Sequence, residues 1–184
     1  LMSGPFHDAL TLSYACDYGM IFVRCKDGIS HNPLEYASYE DLALGADVRS
    51  ADSESKAVKA VIDHFGQLDV LVANAGVGHF SPIDQLTAED WKSTIDTNLT
   101  GVFNSVKAAI DPLKLSEGYI ITIASLAGTN FFENGAAYNA SKFGLVGFTQ
   151  AIMLDLRKYG IKVSTIMPGS VSTYFNDHVP NDAD

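Results

Sequence analysis

The chain has 184 residues, 47% hydrophobic and 18% charged, the balance of one globular domain with a packed core rather than of a disordered segment. Its net charge is −10, with 12 Lys+Arg scattered among 22 Asp+Glu, which argues against nucleic acid and anionic membranes as partners. No apolar run reaches the roughly 18 residues that a spanning helix needs.

Ala9 to Tyr18 fits a helix closed by Gly19, and Met20 to Cys25 a short buried strand. Residues 26–41 are polar and turn-rich and carry no firm pattern. Leu42 to Val48 reads as a second strand. Ser50 to Phe65 places Ala57, Val58, Val61, Ile62 and Phe65 at helical spacing, capped by Ser50 or Asp52 and ended by Gly66. Leu68 to Ala73 is almost continuously apolar, as in a parallel strand buried on both faces. Thr87-Ala88-Glu89-Asp90 opens a long helix with capping-box-like chemistry. Its apolar face is Trp91, Ile95, Leu99, Val102, Phe103, Val106 and Ile110, and Pro112 is expected beyond its end. Gly118 to Ala124 is a strand, Tyr138 to Tyr159 a helix ended by Gly160, and Ile161 to Met167 a strand stopped by Pro168-Gly169.

Strand and helix alternate, with connections too long for hairpins. That predicts an α/β fold, a doubly wound parallel sheet with helices on both faces. No repeat, low-complexity tract or linker divides residues 1–184, so one domain is expected. The five histidines form no metal-ligand pattern, and Cys16 and Cys25 show no CxxC or metal spacing, which suits two reduced thiols. Leu1 to Phe6 lack the basic-then-apolar order of a signal peptide. The expected location is cytoplasmic, with no metal.

Tyr138-Asn139-Ala140-Ser141-Lys142 carries the chemistry. Residues four apart on a helix share a face. A phenol has an ordinary pKa of about 10, and a fixed cation beside it lowers that value toward a useful general acid/base. Ser125 lies thirteen residues before Tyr138, at the end of the Tyr119 to Ala124 strand.

With Asn74-Ala75-Gly76 after a buried strand, Thr97-Asn98-Leu99-Thr100-Gly101 on a helix, Ile123-Ala124-Ser125, Tyr138 and Lys142, and Pro168-Gly169-Ser170-Val171-Ser172-Thr173, the chain resembles the short-chain dehydrogenases/reductases. The resemblance covers about Ala46 to Thr173, while residues 1–45 match weakly. It implies a Rossmann-like fold and an NAD(P)(H)-dependent oxidoreductase that interconverts a carbonyl and an alcohol. The catalytic residues it implies are Ser125, Tyr138, Lys142 and Asn98: Tyr138 passes the proton, Lys142 lowers its pKa and binds the nicotinamide ribose, Ser125 bonds the substrate oxygen, and Asn98 holds a water linking Lys142 to solvent. Asp47, Val48, Asn74, Ala75, Gly76, Pro168, Gly169, Val171 and Thr173, with Tyr138 and Lys142, are the implied cofactor contacts.

The resemblance fails at the start. The family's Thr-Gly-xxx-Gly-x-Gly loop, whose backbone wraps a pyrophosphate, falls at residues 1–8 on counting back from Gly19, and Leu1 to Asp8 match none of its positions. The family's first and last strands are therefore expected to lie outside these residues. An incomplete or altered start and a cofactor-free relative with a binding or structural role are the competing readings. Lys26 and Asp27, at the end of the second strand, suit a 2′-phosphate and a 2′-hydroxyl respectively; the resemblance favours NADP(H) slightly over NAD(H). His79, Phe80, Phe131, Phe132, Tyr174 and Phe175 adjoin the motifs and suit a medium or bulky small-molecule carbonyl or alcohol substrate. The closest general likeness is to 3-oxoacyl-carrier-protein reductase-like members. The family also implies a homodimer or homotetramer formed through the two long helices, with Phe103, Phe148 and Ile152 exposed.

Overall fold

The structure is a computed structural model that describes residues 46–170 and, for the backbone alone, 20–22. Its elements in chain order are β1 (Met20–Phe22), α1 (Ala51–Phe65), β2 (Val70–Ala73), α2 (Ala88–Ile95), a π-helical turn (Asp96–Thr100), α3 (Gly101–Ser116), β3 (Tyr119–Ile123), α4 (Ala136–Leu156) and β4 (Lys162–Ile166). The sheet has the order β1-β2-β3-β4. β2, β3 and β4 are mutually parallel, as the alternating pattern predicts. β1 instead runs antiparallel to β2, pairing Ile21 with Leu71. The backbone groups on that edge of β2 accept a partner in either direction, and antiparallel edge strands on parallel sheets are common. The helix expected over Ala9 to Tyr18 lies outside the described residues.

The register puts Leu71, Ile120 and Val163 side by side on one face of the sheet. They form one core with Val58 and Val61 of α1, Val102, Val106, Ala109 and Leu113 of α3, and Leu145 of α4. These helices therefore lie on a common face. Their apolar stripes, about 100° wide, must be covered, and the sheet covers them. A polar contact crosses this layer: Thr122 of β3 and Thr149 of α4 share a 2.9 Å hydrogen bond, and both are buried.

Helix termini follow the local chemistry. Ser50 caps α1 by accepting from the Ser53 N–H, and Gly66 ends it at φ 78°. Thr87 caps α2 through the Asp90 N–H. Two expectations are corrected. The stretch Ala46-Asp47-Val48 is not a strand. The Asp47 carboxylate accepts from the Arg49 N–H at 3.0 Å, and the Asp47 carbonyl from the Ser50 N–H at 2.9 Å, which folds the chain into a turn. Pro112 lies inside α3, not beyond it. Leu113 is fully buried and the Ser116 hydroxyl donates to the Leu68 carbonyl at 2.7 Å, so packing carries the helix past the missing N–H. On the expected apolar face of that helix, Val102 and Val106 are buried but Trp91 and Phe103 are exposed.

The Thr122–Thr149 pair tests the core. Thr149→Val should cost about 1–3 kcal/mol, because it leaves the buried Thr122 hydroxyl without that partner. Replacing both threonines by valine should restore much of the loss. Urea unfolding of the two variants distinguishes them; a double variant no more stable than the single one would refute this account.

Candidate active site

The carboxyl ends of β2, β3 and β4 converge, as open α/β sheets require of a ligand site. β2 delivers Asn74-Ala75-Gly76, β3 delivers Ser125, β4 delivers Pro168-Gly169, and α4 presents Tyr138 and Lys142. The Ala124 N–H donates to the Ile166 carbonyl and the Leu126 N–H to the Pro168 carbonyl, so the turns after β3 and β4 are laced together. Ser125 caps a short 3₁₀ turn, Leu126–Gly128, by accepting from the Ala127 N–H at 3.1 Å.

Lys142 is 4% exposed. Its Nζ donates to the Ile123 carbonyl at 2.9 Å and lies 5.6 Å from the centre of the Tyr138 ring. A Cβ placed on Gly76 would stand 3.6 Å from that Nζ and 3.4 Å from Asn98 Oδ1, so glycine keeps the space beside the ammonium open. Burial holds the Lys142 ammonium down to about 8. Burial also pushes the Tyr138 phenol up, while a hydrogen bond with the Ser125 side chain pulls it down. Desolvation of the half-buried ring dominates the phenol, the Ser125 hydrogen bond opposes it, and the ammonium is itself weakened by its surroundings.

Asn98 is fully buried in the π-helical turn, which closes with the Gly101 N–H on the Asp96 carbonyl. Its Nδ2 donates to the Val77 carbonyl at 2.8 Å and to Ser141 Oγ at 3.0 Å, and its Oδ1 accepts from the Val77 N–H at 2.8 Å. Both amide hydrogens are therefore committed to the protein. The side chain ties the loop after Gly76 to the helix that bears Lys142.

The remaining expected residues are placed less centrally. Val48 is buried and its carbonyl accepts from Asn104 Nδ2 at 2.8 Å. The Asp47 carboxylate is held by the Arg49 guanidinium at 2.9 and 3.0 Å, and that hydrogen bonding keeps it below the usual carboxylate range. Val171, Thr173, Tyr174, Phe175, Lys26 and Asp27 lie outside the described residues. Of the aromatic residues adjoining the motifs, Phe80 and Phe132 flank Tyr138, with ring centres 5.4 and 6.5 Å from it. Phe131 is exposed, and His79 faces Asp90 at 3.5 Å.

Asn139 received no role from its spacing, yet it is buried and bonds three backbone groups of the loop before α4. The only sequence signal was a polar residue beside Tyr138 inside a helix, where asparagine is a poor helix former.

Comparison with known proteins identifies the family. A short chain dehydrogenase family model matches residues 29–184. The trans-4-hydroxycyclohexanecarboxylate dehydrogenase of Sinomonas cyclohexanicum is 42% identical over 132 residues, which are 72% of this chain and 51% of that protein. A 3-oxoacyl-[acyl-carrier-protein] reductase of Synechocystis is 37% identical over 141 residues, 76% of this chain and 57% of that protein. The chain thus spans about half the length of the curated relatives it matches. Among solved structures, an alcohol dehydrogenase from Thermococcus sibiricus complexed with 5-hydroxy-NADP superposes with a TM-score of 0.71 at 30% identity, covering 74% of this chain and 57% of that one. An NAD+-bound xylitol dehydrogenase superposes at 0.65 with 35% identity, covering 67% and 48%. With the sheet, the converging strand ends and the family match over most of its length, the chain belongs to the short chain dehydrogenase family.

Proposed function

We propose that the whole protein is an NAD(P)(H)-dependent oxidoreductase that interconverts a carbonyl and an alcohol on a small molecule. The observation that carries this reading is the juxtaposition of Ser125, Tyr138 and a buried Lys142 beside the open space at Gly76. A buried ammonium next to a half-buried phenol is costly as structure and useful as chemistry.

The residues present fit the nicotinamide-ribose end of such a cofactor. Lys142 Nζ has one carbonyl partner at 2.9 Å and further donors to offer, and Gly76 leaves room beside it. Lys142, Asn74, Ala75, Gly76, Pro168 and Gly169 would hold the cofactor, with Val171 and Thr173 against the nicotinamide amide and Asp47 toward the adenine. When bound, the cofactor supplies or accepts hydride at the carbonyl carbon. Ser125 donates a hydrogen bond to the substrate oxygen, where charge develops. Tyr138 gives that oxygen its proton, or takes it in the reverse direction. Lys142 holds positive charge beside the phenol and counters the burial that opposes ionisation. Asn98 fixes the loop after Gly76 against α4.

NADP(H) over NAD(H) is the proposed preference, resting on the family resemblance, since Lys26 and Asp27 side by side in the sequence favour opposite cofactors. Homo-oligomerisation is proposed through α3 and α4. Phe103 is 49% exposed and packs edge-on against Phe148 with ring centres 6.4 Å apart, leaving an apolar rim on those helices. The proposed location is cytoplasmic; no described helix is long and apolar enough to cross a membrane.

Two measurements test this reading. Fluorescence titration of the full-length protein with NADPH and NADH should show saturable binding, tighter for NADPH; binding of neither would favour the cofactor-free reading. Tyr138→Phe should lower kcat by about 10²–10⁴-fold while cofactor affinity stays within about twofold. Unchanged turnover in that variant would remove Tyr138 from the proton-transfer role.

Lys142 makes a separate prediction about stability. Its folded value of about 8 lies below the ordinary 10.5, so between those values the unfolded chain binds more protons and stability rises with pH. Below about pH 8 the buried ammonium costs on the order of 3 kcal/mol, offset in part by its bond to the Ile123 carbonyl. In the cofactor-free protein, Lys142→Met should therefore be more stable than wild type at pH 7, and the gap should narrow by pH 10.5. Urea midpoints at the two pH values check this, and a wild type more stable than the variant at pH 7 would contradict it.

A further inference from the structure

Asn139 follows Tyr138 on α4 and is buried. Its Nδ2 donates to the Ala127 and Asn130 carbonyls, each at 2.8 Å, and its Oδ1 accepts from the Phe132 N–H at 3.3 Å. One side chain thus satisfies three backbone groups of the 127–132 loop, which leaves the site just after Ser125. Gly135 lets this happen. A Cβ there would stand 2.6 Å from Asn139 Oδ1 and 2.6 Å from Phe132 Cε2, so a side chain would displace both.

The loop so held places Phe132 beside Phe80, ring centres 5.8 Å apart, and both rings beside Tyr138. The Ser81 N–H donates to the Asn134 carbonyl at 3.0 Å and joins the segment bearing Phe80 to the one bearing Phe132. Phe80 is 43% and Phe132 48% exposed. Two large apolar rings next to a proton-transferring phenol, each with a face in water, form a platform for the apolar body of whatever carries the reacting carbonyl. A flat, rigid ring covers such a platform without losing rotamer freedom, whereas a flexible chain must be immobilised to do so.

We propose that Asn139 is a positioning residue which, by locking the 127–132 loop onto α4, holds Phe132 against Phe80 and Tyr138 so that the site selects carbonyl compounds carrying a flat apolar ring. The selection rests on the activity proposed above; the positioning does not.

The test compares two ten-carbon ketones, 2-tetralone and 2-decanone, as substrates of the full-length protein. Wild type should favour 2-tetralone in kcat/KM. Asn139→Ala and Phe132→Ala should each lower the ring-to-chain ratio of kcat/KM about tenfold, through a raised KM for 2-tetralone. Asn139→Ala added to Phe132→Ala should leave the ratio where Phe132→Ala put it, because the two act through one ring. Equal losses for both ketones, or ratios that multiply in the double variant, would overturn the proposal. If Asn139→Ala does not fold, Gly135→Ala, whose methyl group displaces Phe132, takes its place with the same expectations. NMR titration with 2-tetralone, without turnover, separates this inference from the activity. Affinity weakened about tenfold by Asn139→Ala supports the positioning role even where no ketone is reduced. Equal affinity refutes it even in an active enzyme.

Discussion

Lys142 is an ammonium almost wholly removed from water and held by a strand carbonyl at 2.9 Å. That contact requires the first turns of α4 to press against the carboxyl end of β3, and the surroundings of the helix are arranged to allow it. Below it, Leu145 is fully buried and Thr149 bonds Thr122 across the layer. Beside it, Gly76 withholds a side chain. Desolvating a cation opposes folding, so the apolar row Leu71, Ile120 and Val163 and the helices packed on it must more than offset the cost. The site is thus built where the fold is locally least comfortable, at the end of its best-packed strands.

Asn98 is the second point of tension. A helix that runs directly from Thr87 to Ser116 would need no π-helical turn. The extra residue at Asp96–Thr100 re-aims a fully buried amide so that it meets both backbone groups of Val77 and the Ser141 hydroxyl. Three segments distant in sequence are joined by one side chain. With Asn139 clamping the loop on the other side of Tyr138, two asparagines hold the walls of the site, and the residues assigned the chemistry stand between them.

Much of this is legible in the sequence. Ser50, Thr87, Gly66 and Gly160 mark helix ends because caps and left-handed residues act within a few residues of chain. The Leu68 to Ala73 and Tyr119 to Ala124 runs declare buried strands by composition alone. Misreadings arose where distant partners override local preference. Pro112 ordinarily ends a helix, but Leu113 and Ser116 are anchored from β2 and its approach. Ala46 to Val48 has strand-like composition, but the Asp47–Arg49 pairing bends it. Antiparallel pairing of β1 leaves no trace in a strand's own residues.

Residue types and spacing alone put a phenol and an ammonium on one helix face and a serine at a strand end, because those relations are local or periodic. The direction in which each group is shifted was decided only by tertiary packing, since burial of both is set by residues far away in sequence. The same holds for Asn139 and Phe132. Nothing in their spacing announces a clamp, because its carbonyls, its glycine and its neighbouring ring meet only when the loop folds back onto the helix.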